Sequence, residues 1–171
     1  MLRSLFILTL GALIVTSPAW AAPGTLTETT TAAPSLSATL NGTDLQPTYT
    51  LPITVADSRT GVNANGWNLT ITSTQFKTTG GATLPTAASS ITSVTSACAI
   101  IGCTLPTNTV AYPVAIPAAA VAPAAVKFVN AASQTGTGSI TVTPTVRVTV
   151  PANSFTGSYS STITLAVVAG P

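Results

Sequence analysis

The stretch Val55-Ala-Asp-Ser-Arg-Thr-Gly-Val-Asn-Ala-Asn-Gly-Trp67-Asn-Leu-Thr-Ile-Thr-Ser-Thr-Gln-Phe76 decides how this chain is read. A polar, glycine-bearing loop ends at Gly66, and from Trp67 the residues alternate. Trp67, Leu69 and Ile71 share one face, whereas Asn68, Thr70, Thr72 and Thr74 share the other. A period of two marks a half-buried strand, with an apolar side for a core and a threonine side for solvent. Phe76 falls on the threonine face by strict alternation, so a bulge over residues 73–75 or the strand's end is expected there.

The same period recurs on both sides of this stretch. Upstream, Leu51, Ile53 and Val55 share a face, and Pro52 among them calls for an edge position or a bulge. Residues 35–40 alternate into Asn41-Gly42, a hairpin signal because a type I′ turn needs φ > 0 at both positions; the return runs through Tyr49. Downstream, residues 91–94 and 126–129 are short strand candidates. Residues 105–123 carry Pro106, Pro113, Pro117 and Pro123, which exclude a long helix and a central strand. An extended, edge-like path fits them, with room for one helical turn over residues 118–121. Residues 133–138 read as a turn region. Residues 140–150 place Val142, Val146, Val148 and Val150 inward, and residues 159–168 place Ile163, Leu165 and Val167 on the side of Tyr159. Many short strands separated by Gly, Pro and Asn turns indicate an all-β fold, an antiparallel β-sandwich of Ig-like or Greek-key type, as a single domain.

The N-terminus reads as a targeting segment. Arg3 is the positive start, residues 5–15 the apolar run, and Ala19-Trp20-Ala21 a small-x-small cleavage site. That run is far shorter than the ~20 residues of a membrane-spanning helix. The organisation expected is therefore a signal peptide over residues 1–21, a flexible Thr/Ala-rich leader over 22–34, and the β-sandwich over 35–171. The mature protein is secreted, with no membrane span. Without Arg3, four Lys/Arg face three Asp/Glu. A balance this near neutrality argues against nucleic acid or an anionic membrane as a partner, since both need clustered cations.

Catalytic chemistry has few residues to draw on. The chain has no histidine, which removes Ser-His-Asp and Cys-His machinery. A glycosidase needs two carboxylates about one bond; here Glu28 lies in the leader and Asp44 beside a turn. Asp57 and Arg59, two residues apart, suit an ion pair or cap that structures the loop before Trp67. Thr135-Gly136-Thr137-Gly138 lacks the lysine and helix of a phosphate loop and reads as a turn. Cys98 and Cys103 are expected to form a disulfide in an exported protein; two thiolates without histidine do not make a zinc site. No cofactor, no metal and no enzymatic activity are expected.

With the strands placed, the chain resembles the WxL family of bacterial cell-surface proteins. The proximal motif is carried by residues 55–59, by Gly66-Trp67-Asn68-Leu69-Thr70 and by Phe76. The distal motif is carried by Val150-Pro-Ala-Asn, by Gly157-Ser-Tyr159-Ser-Ser-Thr-Ile-Thr and by Gly170-Pro171. Counting from Tyr159, the distal tripeptide is Leu165-Ala166-Val167, so its tryptophan is replaced and the chain is a divergent member. The resemblance covers nearly all of the chain from Ser35 onward. It implies a non-catalytic surface protein held non-covalently on the cell wall by peptidoglycan or another wall glycan. It also implies that Trp67, Asn68, Leu69, Tyr159, Leu165 and Val167 contribute to binding. Alternation, by contrast, sets Trp67 in phase with the core, and Asn68 on the polar face. An alternative from a different class is a structural subunit of a surface fibre or layer, joining itself or other surface proteins through sheet edges.

Overall fold

The computed structural model describes residues 5–14, 24–61 and 64–170. Among these, twelve strands run in the order β1 (Leu5–Ile14), β2 (Leu26–Thr29), β3 (Ser35–Thr39), β4 (Thr48–Thr50), β5 (Ile53–Asp57), β6 (Trp67–Thr74), β7 (Ser89–Cys98), β8 (Val114–Ala115), β9 (Ala118–Ala119), β10 (Val126–Ala131), β11 (Gly138–Val148) and β12 (Ser158–Ala169). One sheet has the order β10-β6-β12-β1-β3, with β9 also beside β6. The other has the order β2-β5-β11-β7-β8, with β4 also beside β11. Neighbours are antiparallel apart from β1 with β12 and β9 with β6, which are parallel. The predicted all-β, antiparallel architecture is what the chain adopts.

The core lies between the sheets and is built as the alternation requires. Leu51, Ile53, Val55, Ile140, Val142, Val146 and Val148 come from the second sheet, and Trp67, Leu69, Ile71, Phe128, Tyr159, Ile163 and Leu165 from the first. Each fully buried aliphatic side chain contributes roughly 1.5–3 kcal/mol, and no long helix is needed to cover either inner face. β11 is the spine of its sheet. It pairs with β7 along nearly its whole length on one flank, and with β5 and β4 in succession on the other. Pro52 accounts for the break between those two, and the Leu51 amide bonds instead to the Pro144 carbonyl (3.1 Å). β6 ends at Thr74, and Phe76 turns inward just beyond it, as expected.

Several expectations are corrected. Residues 26–29 are not a loose leader: β2 pairs with β5, and Leu26 and Glu28 alternate inward. The Asn41-Gly42 turn does not close a hairpin. β3 belongs to one sheet and β4 to the other, so the turn carries the chain across the sandwich. The Asn41 side chain shapes it by accepting hydrogen bonds from the amide and hydroxyl of Thr43. The strand predicted over 91–94 extends over Ser89–Cys98, because β11 offers it a long partner. Residues 118–119 form a short strand against Ser73 and Thr74 rather than a helical turn. The predicted cleavage site, residues 19–21, lies outside the described residues, whereas residues 5–14 of the expected signal peptide form β1 between β12 and β3. Among them, no helix is long and apolar enough to cross a membrane.

Glu28 is a buried polar residue that the apolar pattern did not announce, as is Thr72, which alternation set on the solvent face. The Glu28 side chain is buried, and Oε1 has no hydrogen-bond partner. Burial pushes this carboxyl above its ordinary value, while the backbone amides of Glu28 and Val167 pull the other way.

Candidate functional site

The register of the two sheets sends the residues singled out by sequence to opposite ends of the sandwich. At one end β5 stops at Asp57, β6 starts at Trp67, β11 starts at Gly138 and β12 stops at Ala169, with Asp57 opposite Gly138 and Trp67 opposite Ala169. At the other end β6 stops at Thr74 and β12 starts at Ser158.

The first end is a buried framework. The Arg59 guanidinium forms a two-pronged ion pair with Asp57, Nε to Oδ1 and Nη2 to Oδ2, each at 2.8 Å. The Arg59 amide also bonds to Asp57 Oδ1. An ion pair is one of the two arrangements the sequence suggested for these residues. Nη2 also donates to the Gly66 carbonyl (2.8 Å), which takes a second bond from the Gly170 amide (3.1 Å). Trp67 is 0% exposed, and its Nε1 donates to the Gly136 carbonyl at 2.7 Å. That contact dictates glycine at 136: φ is +70°, and a Cβ there would stand 2.6 Å from the indole nitrogen. The turn over residues 133–138 was legible, but nothing in the sequence tied Gly136 to the tryptophan.

The proximal and distal tripeptides lie side by side. Along the β6–β12 seam Leu69 is opposite Val167, Ile71 is opposite Leu165, and Asn68 is opposite Val168. Trp67, Leu69 and Leu165 are buried, and Val167 is partly so. Asn68 Nδ2 donates to the Gly170 carbonyl (2.7 Å), fixing the end of the chain against the start of β6, while its buried Oδ1 has no partner. These side chains therefore build the sheet-to-sheet interior. The face of Trp67 is covered by the core, so the indole has no free surface on which a sugar could stack. Over this framework lies a cleft of about 480 Å³, lined by Ser58, Thr60, Gly61, Gln134 and Thr137 among others. Cys98 and Cys103 form the expected disulfide at the same end, and the loop they close exposes Ile100 and Ile101.

Tyr159 is not with the two tripeptides. It is buried at the far end, and its hydroxyl donates to the Phe155 carbonyl at 3.1 Å. Burial raises its pKa, partly offset by that bond. Phe155 is 74% exposed and is the only exposed aromatic among the described residues. Sequence reading passed over it as part of a connecting turn. Beside it is a cleft of about 320 Å³, lined by Gln75, Thr83, Leu84, Pro85, Pro151, Asn153 and Ser154 with Phe155.

The proximal and distal tripeptides thus form one buried seam, with the Asp57–Arg59 pair and Gly170 tied to its end. Residues 23–171 match the family described as WxL domain, surface cell wall-binding. This chain belongs to the WxL family. It is a member in which Leu165 stands where the resemblance places the distal tryptophan, and the match takes in residues 23–34 along with the predicted domain. Membership places it among cell-wall-associated surface proteins. A search of curated proteins found no match.

Proposed function

We propose that this WxL protein is secreted after removal of residues 1–21 and is held non-covalently on the wall by peptidoglycan, without catalysing a reaction. The observation that carries the reading is the family match over residues 23–171. The chemistry agrees with a binding role. Asp57 is committed to Arg59, Asp44 Oδ1 accepts the Ala152 amide, and Glu28 is enclosed in the interior, so no two carboxylates converge on one cleft. Assembly through sheet edges is the second reading: removal of residues 1–21 takes away β1, which stands between β12 and β3, and opens the flank of β12. Co-sedimentation of the processed protein with purified peptidoglycan sacculi tests the proposal: it should pellet with sacculi at low and moderate salt. Protein that stays wholly in the supernatant would refute it.

A further inference from the structure

We infer that the cleft beside Phe155 is a saccharide-contact site, which takes one sugar unit of a neutral wall glycan on the face of the Phe155 ring. The inference rests on the wall-binding reading and places the contact at the end of the sandwich opposite Trp67.

Four observations support it. First, an aromatic ring that is 74% exposed forgoes the burial that the other described phenylalanines, Phe76 and Phe128, obtain. A rigid, partly apolar plane is the surface that matches the C–H face of a sugar ring. Second, the ring is carried on a turn that is held in place. The Ser154 amide bonds to the Pro151 carbonyl (3.0 Å), the Ala152 amide to Asp44 Oδ1 (2.8 Å), and the buried Tyr159 hydroxyl to the Phe155 carbonyl (3.1 Å). A fixed turn loses little conformational freedom when a ligand settles on it.

Third, the cleft beside the ring combines apolar Leu84, Pro85 and Pro151 with the neutral polar groups of Gln75, Thr83, Asn153 and Ser154. Amide and hydroxyl groups recognise hydroxyl and acetamido substituents, and no charged side chain lines the cleft to select an ionic ligand. At about 320 Å³ it lies at the small end of ligand sites, a size suited to one sugar unit. Fourth, the larger cleft over the Asp57–Arg59 pair is lined by no aromatic side chain. Trp67 lies behind it with its indole enclosed.

This arrangement gives the motif tyrosine a concrete part. Tyr159 is a positioning residue: it touches no ligand and sets the turn that presents Phe155.

The test uses the processed protein, purified sacculi and tetra-N-acetylglucosamine as probes, with affinity read by co-sedimentation and by NMR titration. Phe155→Ala should weaken binding to both probes at least tenfold and leave the melting temperature unchanged, and Asn153→Ala should weaken it less. Phe155→Trp, which keeps an aromatic plane, should retain binding. Gln134→Ala, in the cleft at the other end, should bind like wild type. Wild-type binding that persists in Phe155→Ala overturns the site and leaves the wall-binding reading intact, as does a loss confined to Gln134→Ala. A wild-type protein that binds neither probe overturns both.

Discussion

The two ends of the sandwich are built from the same strands and could hardly differ more in how they use aromatic side chains. At the motif end the tryptophan is enclosed, its indole N–H is spent on the Gly136 carbonyl, and arginine and aspartate neutralise each other below the surface. At the far end a phenylalanine stands in solvent on a braced turn, beside a cleft lined with amides and hydroxyls. The difference teaches that the Trp-x-Leu part of a family motif can mark the interior that a fold requires, while the exposed aromatic stands on a turn between the two parts of the distal motif. The first end is committed to stability, and the second is where contact with a ligand is proposed.

The largest expected effect is at the motif end. Trp67→Ala removes a fully buried indole and strands the Gly136 carbonyl, so unfolding free energy should drop by about 3–5 kcal/mol. Urea denaturation measures it, and a loss below about 1 kcal/mol would erase the contrast between the ends. Next comes Leu165→Trp, which restores the tryptophan of the distal pattern. Leu165 is 2% exposed and packs opposite Ile71, so the added volume should cost about 1–3 kcal/mol in the same assay. A stabilised variant would mean that the seam has unfilled space for an indole.

A smaller effect should follow from Glu28. Its carboxyl is raised in the folded state, so folding favours proton uptake by this group. Its contribution therefore improves as pH falls through the folded value and worsens as pH rises through it. Glu28→Gln should be more stable than wild type near neutrality, and the gap in melting temperature should close on acidification. A gap that widens in acid would show that the buried carboxylate is favoured in its charged form. The smallest effect is expected of Phe155→Ala, which should leave stability within about 0.5 kcal/mol of wild type because the ring buries little. A loss comparable to that of Trp67→Ala would make the two ends alike.

Much of the fold was legible because alternation reports burial directly. Leu51, Ile53 and Val55, the valines of β11 and the Trp67–Ile71 face all point inward as their spacing required. The Asp57–Arg59 pair and the disulfide followed from spacing and compartment. The Asn41-Gly42 turn was misread because a turn sequence specifies a reversal of the chain and not which sheet receives the return. β2 was missed because Pro23, Gly24 and Pro34 masked a four-residue strand whose partner, β5, lies far along the chain. The candidate contact surface was the least legible part. Exposure of Phe155 depends on tertiary packing, and a lone aromatic in a Pro-Asn-Gly turn has no periodicity to place it.

Arg59 has one more consequence, which concerns how the protein can be handled. The Gly66 carbonyl that it grips also holds Gly170, and next to it in the chain Ser58 exchanges hydrogen bonds with Thr25. The first and last parts of the 24–170 stretch are therefore moored at the same end, around one side chain. An affinity tag, a fluorophore or a fusion partner added at either of these points would sit at the Trp67 end. Molecules immobilised through such a tag would all present the Phe155 end to the solution.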